Sequence, residues 1–394
     1  MLGLAGEEAV RRPSELWPEF LGVPVPGGDS EMPPLPGYVG FISYDVGREL
    51  EPRARWGGGA RGDRSIPSMF FRRVEEGLAF DHWKRRWWCV GERARRLARQ
   101  IEPSGGAGPP GPCWGRPVSQ SGQAAYLAGV ARALEYIRAG DAYQVNVAHR
   151  LSAPFSGGAR GVFRGLCAMV RPWHGVYVEG SGFAVASASP ELFLCFDPVT
   201  RVLRTRPMKG TRPAALEGAF GDLERSEKDR AELAMIVDLM RNDLGRVCEL
   251  GSVRVETVRR IERHDSGVLQ ATACVEGVLR AGLTLRDALG ATFPAGSVTG
   301  APKIRAMQII DELEPVRRGV YCGSAGYVGD DGRAMLNVAI RTAVVTGRAG
   351  GGPGEFEEAT LDYSVGAGIV ADSDPGTEWQ ETLDKAAAVS ALVR

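Results

Sequence analysis

The apolar residues of the chain recur at spacings that predict helices in its rear two thirds. Residues 127–137 carry leucine, valine and isoleucine three or four positions apart, which is the spacing of one helix face, and the pattern stops at Gly140. The strongest such stripe covers 226–248 and begins with a serine that can cap the first turn. Further helices are predicted at 302–313 and 375–392.

Segments with strand-like composition lie before and between these helices. They cover 37–44, which is aromatic and apolar, 80–90, which contains Trp83, Trp87 and Trp88, and the extended stretch AYQVNVAHRL, which follows the first helix. The pattern therefore predicts mostly sheet at the front of the chain and alternating helices and strands behind it.

Two stretches rich in glycine and proline interrupt the pattern. They cover 23–37 and 103–118, and neither shows apolar periodicity. Because the second stretch divides the chain, we expect a sheet-contributing segment at 1–102, a linker at 103–118 and a core at 119–394. The front segment and the core are expected to form one integrated unit.

The composition is ordinary for a globular protein, with 44% hydrophobic and 24% charged residues. The 48 lysines and arginines balance the 48 aspartates and glutamates, so the net charge does not favour nucleic acid or an anionic membrane as a partner. The first residues lack the apolar core of a signal peptide, and no run of 18 apolar residues occurs. These features favour a cytoplasmic location.

The seven cysteines and four histidines do not show the spacings that carry chemistry. The sequence has no CxxC pair and no HExxH motif, so we expect neither a disulfide framework nor a zinc site, and we assign catalysis to no histidine. Cys322 is the only cysteine near a strand–turn pattern, and no nucleophile elbow surrounds it. The chain is therefore not expected to contain a glutaminase.

Two pairs of acidic residues have the same spacing on two predicted helices. Asp229 and Glu232 share one helix face, as do Glu378 and Glu381 on the last helix. If the two helices pack side by side, their carboxylates could bind Mg²⁺, which takes one or two carboxylates and keeps several waters. On spacing alone, a solvated helix face remains an open alternative.

Lys209 lies in the segment RPMKGTRP, flanked by residues that end regular elements. A loop of this kind can present a side chain, and a nucleophilic amine must be unprotonated, which burial or neighbouring cations favour. Arg206 and Arg212 are candidates for those cations. A surface lysine in a basic turn is the alternative.

Small residues form turns that could approach an anion through their backbone N–H groups. These turns are GSVTGAP at 296–302, GSAG at 323–326 and GAG at 366–368, and none matches a phosphate-binding loop. Arg341 interrupts an otherwise apolar strand pattern. A buried arginine needs a partner, which could be a substrate carboxylate or a structural acid.

Seven segments in sequence order resemble the chorismate-utilising enzymes, over residues 123–388 with a further match at 37–52. Many independent motifs in the same order make the resemblance specific. The segments are GYVGFISYDVGR, YIRAGDAYQVNVAHR, SPELF, RPMKGTRP, DRAELAMIVDLMRNDLGRV, GSVTGAPKIRAMQIIDELEP and GAGIVADSDPGTEWQETLDKA.

The resemblance implies an α+β fold, a four-layer α/β/β/α sandwich of two large stacked sheets with outer helices in a single complex domain. It implies Mg²⁺ as the cofactor, held by Glu232 and Glu381, with Asp229 and Glu378 linked to it through water. It also implies a set of residues that contact the substrate: Gln144, Gly210, Thr211, Ser297, Tyr327, Arg341, Gly366, Gly368 and Lys385.

Two positions separate the branches of this family. Gln144 stands where isochorismate and salicylate synthases have a water-activating lysine, and an amide cannot act as that base. The stretch PMKGT resembles the PxKGT of the aminodeoxychorismate synthase branch rather than the PxAGT of anthranilate synthase. The similarity implies amination of chorismate at C4, on the route to 4-aminobenzoate and folate, with Lys209 as nucleophile and Glu191 as proton donor and then base.

The same resemblance implies that ammonia comes from a separate glutaminase subunit. One position departs from the family pattern, because Gln270 stands where members usually have a histidine. Two alternatives therefore stay open. One is anthranilate synthase component I, which Lys209 disfavours, and the other is a non-catalytic regulatory subunit of the same fold.

Overall fold

A computed structural model describes residues 2–11, 21, 36–54, 60–81, 85–100 and 113–392. Nine α-helices lie within these residues. They are α1 Gly47–Leu50, α2 Glu92–Ala98, α3 Gly122–Arg138, α4 Ala159–Val170, α5 Ala219–Arg225, α6 Glu227–Gly245, α7 Leu285–Thr292, α8 Lys303–Leu313 and α9 Pro375–Ser390.

The strands of the described residues form two antiparallel sheets of eleven and eight strands. The first sheet contains β1 Leu2–Arg11, β2 Gly37–Ile42, β3 Met69–Asp81, β4 Arg86–Val90, β10 Leu192–Asp197, β11 Val202–Arg206, β12 Met208–Pro213, β13 Arg254–Arg263, β14 Val268–Val278, β16 Ser324–Gly329 and β17 Ala334–Val338. The second contains β5 Cys113–Trp114, β6 Val118–Ser119, β7 Gln144–Gly158, β8 His174–Gly180, β9 Phe183–Ser189, β15 Gly300–Ala301, β18 Thr342–Ala349 and β19 Glu355–Ile369.

Many strands that are neighbours in a sheet are far apart in the chain. The main path of the first sheet is β1-β3-β2-β16-β17-β10-β11-β14-β12, with β4 beside β3 and β13 beside β14. That of the second is β15-β7-β19-β18-β9-β8, with β5 and β6 beside β7. Because β2 from the front segment pairs with β16 from the rear, and β3 pairs with β2, the two parts of the chain share one sheet.

The two sheets stack face to face through a buried aromatic cluster. Phe41 and Phe70 of the first sheet pack against Phe183 of the second, and the Phe70 and Phe183 rings meet edge to face with centroids 5.0 Å apart. Helices α6 and α7 cover the outer face of the first sheet, and α4 and α9 cover the second. The predicted four-layer α/β/β/α sandwich is therefore confirmed.

The long helices form where the apolar spacing predicts them. The serine before α6 caps it as expected, since the Ser226 Oγ accepts a hydrogen bond from the Asp229 backbone N–H at 3.2 Å. Leu233, Ile236 and Met240 of the predicted stripe are buried. The predicted helix at 226–248 ends three residues early, at Gly245, and the C-terminal helix ends at Ser390.

Two sequence predictions fall partly outside the described residues. The strand-like stretch at 80–90 is split between β3 and β4, and Trp83 is outside the described ranges. Residues 103–112 of the predicted linker are also outside them, whereas β5 and β6 at its end pair with β7. The end of that stretch therefore belongs to the second sheet, and the other domain boundaries stay predictions. No helix in the described ranges is long and apolar enough to cross a membrane.

Strands β7 and β19 pair along most of their length and position the site. Gly366 lies opposite Ala148, and Gly368 lies opposite Asn146. Because alternate residues of a strand point to the same side, Gly366 and Gly368 share one face of the sheet with the side chains at 146 and 148. This face carries small residues, which leaves room above it.

Candidate active site

Residues that are far apart in the chain meet above the glycines of β19. A Cβ atom on Gly368 would lie 3.0 Å from the Lys209 Nζ and 3.2 Å from the Gln144 Nε2. Gln144 is fully buried, and its amide atoms have no hydrogen-bond partner among the described residues. Glycine at 368 therefore keeps open a space that an amine and an unpartnered amide both line.

Glu191 supplies a buried acid next to this space. It lies between β9 and β10 with 4% of its surface exposed, and its backbone is held by Ser189 and Val338. Burial raises the pKa of Glu191 to about 7, although the nearby Ser297 hydroxyl and the Lys209 amine lower it. A carboxyl group that titrates near neutral pH can donate and later accept a proton.

Lys209 has an anionic partner instead of the cationic neighbours that the sequence predicted. Its Nζ lies 3.4 Å from the Glu232 carboxylate, and both side chains are largely buried. Arg206 pairs with Glu262, and Arg212 pairs with Asp229. Both guanidinium groups are therefore paired with carboxylates other than Glu232, which is the partner of Lys209.

The four predicted metal carboxylates come from α6 and α9, and Lys209 lies between the two helices. Lys209 is paired with Glu232 on α6 and is also close enough to lower the pKa of Glu381 on α9. Burial raises the pKa of Glu381, but Lys385 and the other nearby lysines outweigh it. Burial also raises the pKa of Glu378, which accepts a hydrogen bond from the Ser373 hydroxyl at 2.7 Å.

These donors suit a cation that keeps much of its water. Within the described ranges, no group of three or more His, Cys, Asp and Glu side chains lies close enough together to hold a metal ion. Two carboxylates from facing helices, Glu232 and Glu381, are the donor set that Mg²⁺ commonly uses together with waters and substrate oxygens. The residues therefore fit Mg²⁺, whose binding stays a prediction, as do the water-linked roles of Asp229 and Glu378.

A second part of the site can bind carboxylates. Arg341 has a positive φ of 51°, and no carboxylate pairs with its guanidinium among the residues described. Burial lowers the pKa of Arg341. Lys385 lies beside the glycines of β19, because its Nζ donates to the Gly366 carbonyl at 2.8 Å, and it pairs with Glu381 at 2.6 Å. An unpaired arginine and a lysine beside a glycine strand match the charge of a dicarboxylate substrate.

Tyr327 lies on β16, and its predicted contact with the substrate stays a prediction. Burial raises the pKa of Tyr327 to about 12, and the charged groups that shift it, Cys195, Arg333 and Asp331, lie outside the site. Tyr321 lies beside the glycines of β19, since a Cβ atom on Gly366 would lie 3.0 Å from the Tyr321 hydroxyl oxygen. Both tyrosines belong to the stretch YCGSAGY, so spacing alone could not distinguish them.

Lys209 lies in strand β12 and not in a loop, and the bulge after it carries two further predicted residues. Gly210 has a positive φ of 72°, and a Cβ atom there would contact Leu223 and Asp229 at under 3 Å, so only glycine fits. The Thr211 Oγ1 accepts a hydrogen bond from the Gln270 Nε2 at 3.1 Å. Gln270 therefore lies beside a predicted substrate residue, and its place in the site stays a prediction.

Comparison with known proteins gives the context for this geometry. A family model described as chorismate binding enzyme matches residues 7–391. The chain is 38% identical to anthranilate synthase component 1 of Streptomyces coelicolor, over 94% of this chain and 75% of that protein. It is 37% identical to aminodeoxychorismate synthase component 1 of Klebsiella aerogenes, over 90% of this chain and 76% of that protein.

Solved structures extend the likeness to the whole described fold. The crystal structure of anthranilate synthase component I from Streptococcus pneumoniae has a TM-score of 0.82 to this chain, at 27% sequence identity. The match covers 99% of this chain and 91% of the other.

Proposed function

This chain belongs to the family of chorismate-binding enzymes, and we propose that it replaces the C4 hydroxyl of chorismate with an amino group to give 4-amino-4-deoxychorismate. One observation carries the choice of product. The Lys209 amine lines the glycine-walled space next to the buried acid Glu191. A nucleophile and a proton donor are the two groups that such a replacement needs.

The proposed reaction balances with these two residues. The unprotonated Lys209 amine attacks C2, the two ring double bonds shift, and the C4–O bond breaks as protonated Glu191 gives its proton to the departing hydroxyl. Water leaves. Ammonia then attacks C4, the double bonds shift back, and the C2–N bond to Lys209 breaks. Glu191, now a carboxylate, accepts the proton that the new amine loses.

The other side chains orient the substrate. We assign Lys385 and Tyr321 to the carboxylates of chorismate because both lie beside Gly366 of β19, and Arg341 because it is a buried cation with no carboxylate partner among the described residues. Glu232 and Glu381 would hold Mg²⁺. Bound there, the ion would offset carboxylate charge in a site that excludes most water.

Anthranilate formation is the second candidate, and the names of most relatives favour it. Sequence identity does not distinguish the two candidates, since it is 38% to the anthranilate synthase and 37% to the aminodeoxychorismate synthase. The site favours amination at C4 because Lys209 is present and because Gln270 cannot transfer a proton. Anthranilate requires a further step, the loss of the enolpyruvyl group as pyruvate, which needs an additional proton transfer.

Product analysis distinguishes these candidates. The purified chain is incubated with chorismate, MgCl₂ and an ammonium salt, and the products are identified by mass and fluorescence. We expect 4-amino-4-deoxychorismate, which keeps the enolpyruvyl ether. Fluorescent anthranilate with released pyruvate would favour the second candidate, and no product at all would favour a non-catalytic subunit.

The source of nitrogen gives a second prediction. We propose that the chain depends on a separate glutaminase subunit, because no cysteine lies in a nucleophile elbow. Burial raises the pKa of Cys322, the cysteine nearest the site, to about 12, which keeps it an inactive thiol. The isolated chain should turn over chorismate with ammonium but not with glutamine. Glutamine-dependent turnover by the isolated chain would contradict this proposal.

Glu191 sets a third prediction, on pH. Because Glu191 must be protonated to release the hydroxyl, kcat should fall as the pH rises through about 7, the pKa that burial gives it. Glu191→Gln should lower kcat on the order of 10²-fold and remove that step from the pH profile. Glu191→Asp serves as the control that keeps the acid. An unchanged profile in Glu191→Gln would exclude Glu191 as the acid.

Although Glu191→Gln should lower kcat, it should increase the stability of the fold at high pH. A carboxyl group whose folded pKa is raised stabilises the fold fully below pH about 4.5 and loses that contribution as the pH rises through about 7. Glu191→Gln should therefore raise the Tm above pH 7 relative to the parent. Thermal unfolding at pH 5 and pH 8.5 measures this difference.

A further inference from the structure

A buried histidine joins three elements on the helix side of the second sheet. His149 lies on β7, and its exposed fraction is 5%. Its Nδ1 is 3.1 Å from the Ser119 hydroxyl on β6, and its Nε2 is 2.9 Å from the Thr382 hydroxyl on α9. Its ring stacks on the Trp379 ring, with centroids 4.7 Å apart.

The neighbouring hydrogen bonds determine which group donates and which accepts at each end of the His149 ring. The Thr382 hydroxyl donates to the Trp379 carbonyl at 2.7 Å, so it accepts from the imidazole, whose Nε2 carries the proton. The Nδ1 then accepts from the Ser119 hydroxyl, which itself accepts the Gly122 backbone N–H at the start of α3. Burial lowers the pKa of His149 to about 4, which keeps the ring in this neutral form.

Thr382 directly follows Glu381 and lies one helical turn after Glu378. The position of the Glu381 carboxylate is therefore set by the same turn of α9 to which the imidazole is hydrogen-bonded. Thr382 is fully buried, whereas half of the Glu381 side chain is exposed. The buried side of the helix therefore contacts the histidine, while Glu381 lies close enough to Lys209 for the lysine to lower its pKa.

We infer that the Ser119–His149–Thr382 chain is a positioning device that sets α9 on the sheet so that Glu381 lies at the correct distance from Glu232 for the metal. His149 and Thr382 touch neither substrate nor metal and act through Glu381. This inference rests on the proposed metal site. If the inference holds, the hydrogen bond at Thr382 affects Mg²⁺ affinity. Residues that hold metal ligands in place commonly have this effect.

A pair of substitutions at Thr382 tests the inference. Thr382→Val keeps the volume and removes the hydroxyl, and Thr382→Ser keeps the hydroxyl. Calorimetric titration with MgCl₂ should show a dissociation constant about tenfold higher for Thr382→Val and nearly unchanged for Thr382→Ser. In turnover assays, the MgCl₂ concentration for half-maximal activity should rise by the same factor, while kcat at saturating metal falls less.

Val389→Ala is the matched control for lost packing. Val389 is fully buried on the same helix and lies about two turns from Thr382. It should lower the Tm without changing Mg²⁺ affinity. Equal effects of Val389→Ala and Thr382→Val on affinity, or none from either, would overturn the inference.

The imidazole itself gives an independent check. His149→Gln keeps a donor that can reach Thr382, whereas His149→Phe keeps the ring but no donor. We expect His149→Gln to retain most of the Mg²⁺ affinity and His149→Phe to lose it as Thr382→Val does. If the parent chain formed the aminated product but bound no Mg²⁺, this inference would be wrong and the proposed amination would stand. If it bound Mg²⁺ but formed no such product, the proposed amination would be wrong and this inference would stand.

Discussion

Lys209→Ala should lower formation of 4-amino-4-deoxychorismate on the order of 10⁴-fold, because the substitution removes the proposed nucleophile from the site. Residual amination should shift towards C2, since the amine no longer occupies that carbon. Rates and product identities from chorismate, MgCl₂ and ammonium measure both effects. Lys209→Met is the matched control for volume and should behave like the alanine variant.

A covalent adduct gives the more direct test of Lys209. When ammonia is withheld, the second displacement cannot occur, so substrate should remain attached to the lysine. Mass spectrometry should then show an increase on the peptide that contains RPMKGTRP. An alanine variant that makes the product at the parent rate, with no adduct in either protein, would exclude the covalent mechanism.

Glu381→Gln should lower kcat on the order of 10³-fold, which corresponds to about 4 kcal/mol of lost charge stabilisation. An amide keeps the shape of the side chain but binds a divalent cation far more weakly. The fold should stay intact, since half of the Glu381 side chain is exposed. Turnover, MgCl₂ titration and circular dichroism measure these outcomes.

Asp384→Asn provides the control for the loss of a negative charge on α9. Asp384 accepts a hydrogen bond from Gln380 on the exposed side of the helix and should bind Mg²⁺ like the parent. If Glu381→Gln kept most of its activity, or if the parent remained active after thorough chelation, the metal assignment would be wrong.

The local parts of the fold were predictable because local physics decides them. Apolar spacing and a serine cap define α6, and glycine ends the helix that precedes β7. The pairing of β7 with β19 could not be derived in this way, because its partners lie some 200 residues apart in the chain. The family resemblance, and not periodicity, implied the stacked sheets.

The residues of the candidate site came from the family resemblance, because spacing alone left other roles open for Lys209 and the acidic pairs. The motif around Lys209 and the acidic pairs of α6 and α9 led to side chains that the structure brings together. The position of Tyr321 beside Gly366 could not be predicted, because it depends on how separate strands pack. The carboxylate partners of Arg206 and Arg212 could not be predicted either, because tertiary packing sets them.

His149 shows a third kind of limit. Its sequence context has no paired spacing, and its partners Ser119 and Thr382 lie on separate elements. Only the packing of α9 against the sheet shows that a lone histidine joins them.

The long pairing of β7 with β19 has a consequence for synthesis of the protein. At roughly 5–20 residues per second, a ribosome needs roughly 10–40 s to extend the chain from β7 to β19. During that interval, one edge of β7 has no partner and is open to other extended chains. A nascent chain of this protein should therefore bind chaperones until its last strand emerges, and a messenger truncated before codon 355 should yield an aggregating product instead of a shortened enzyme.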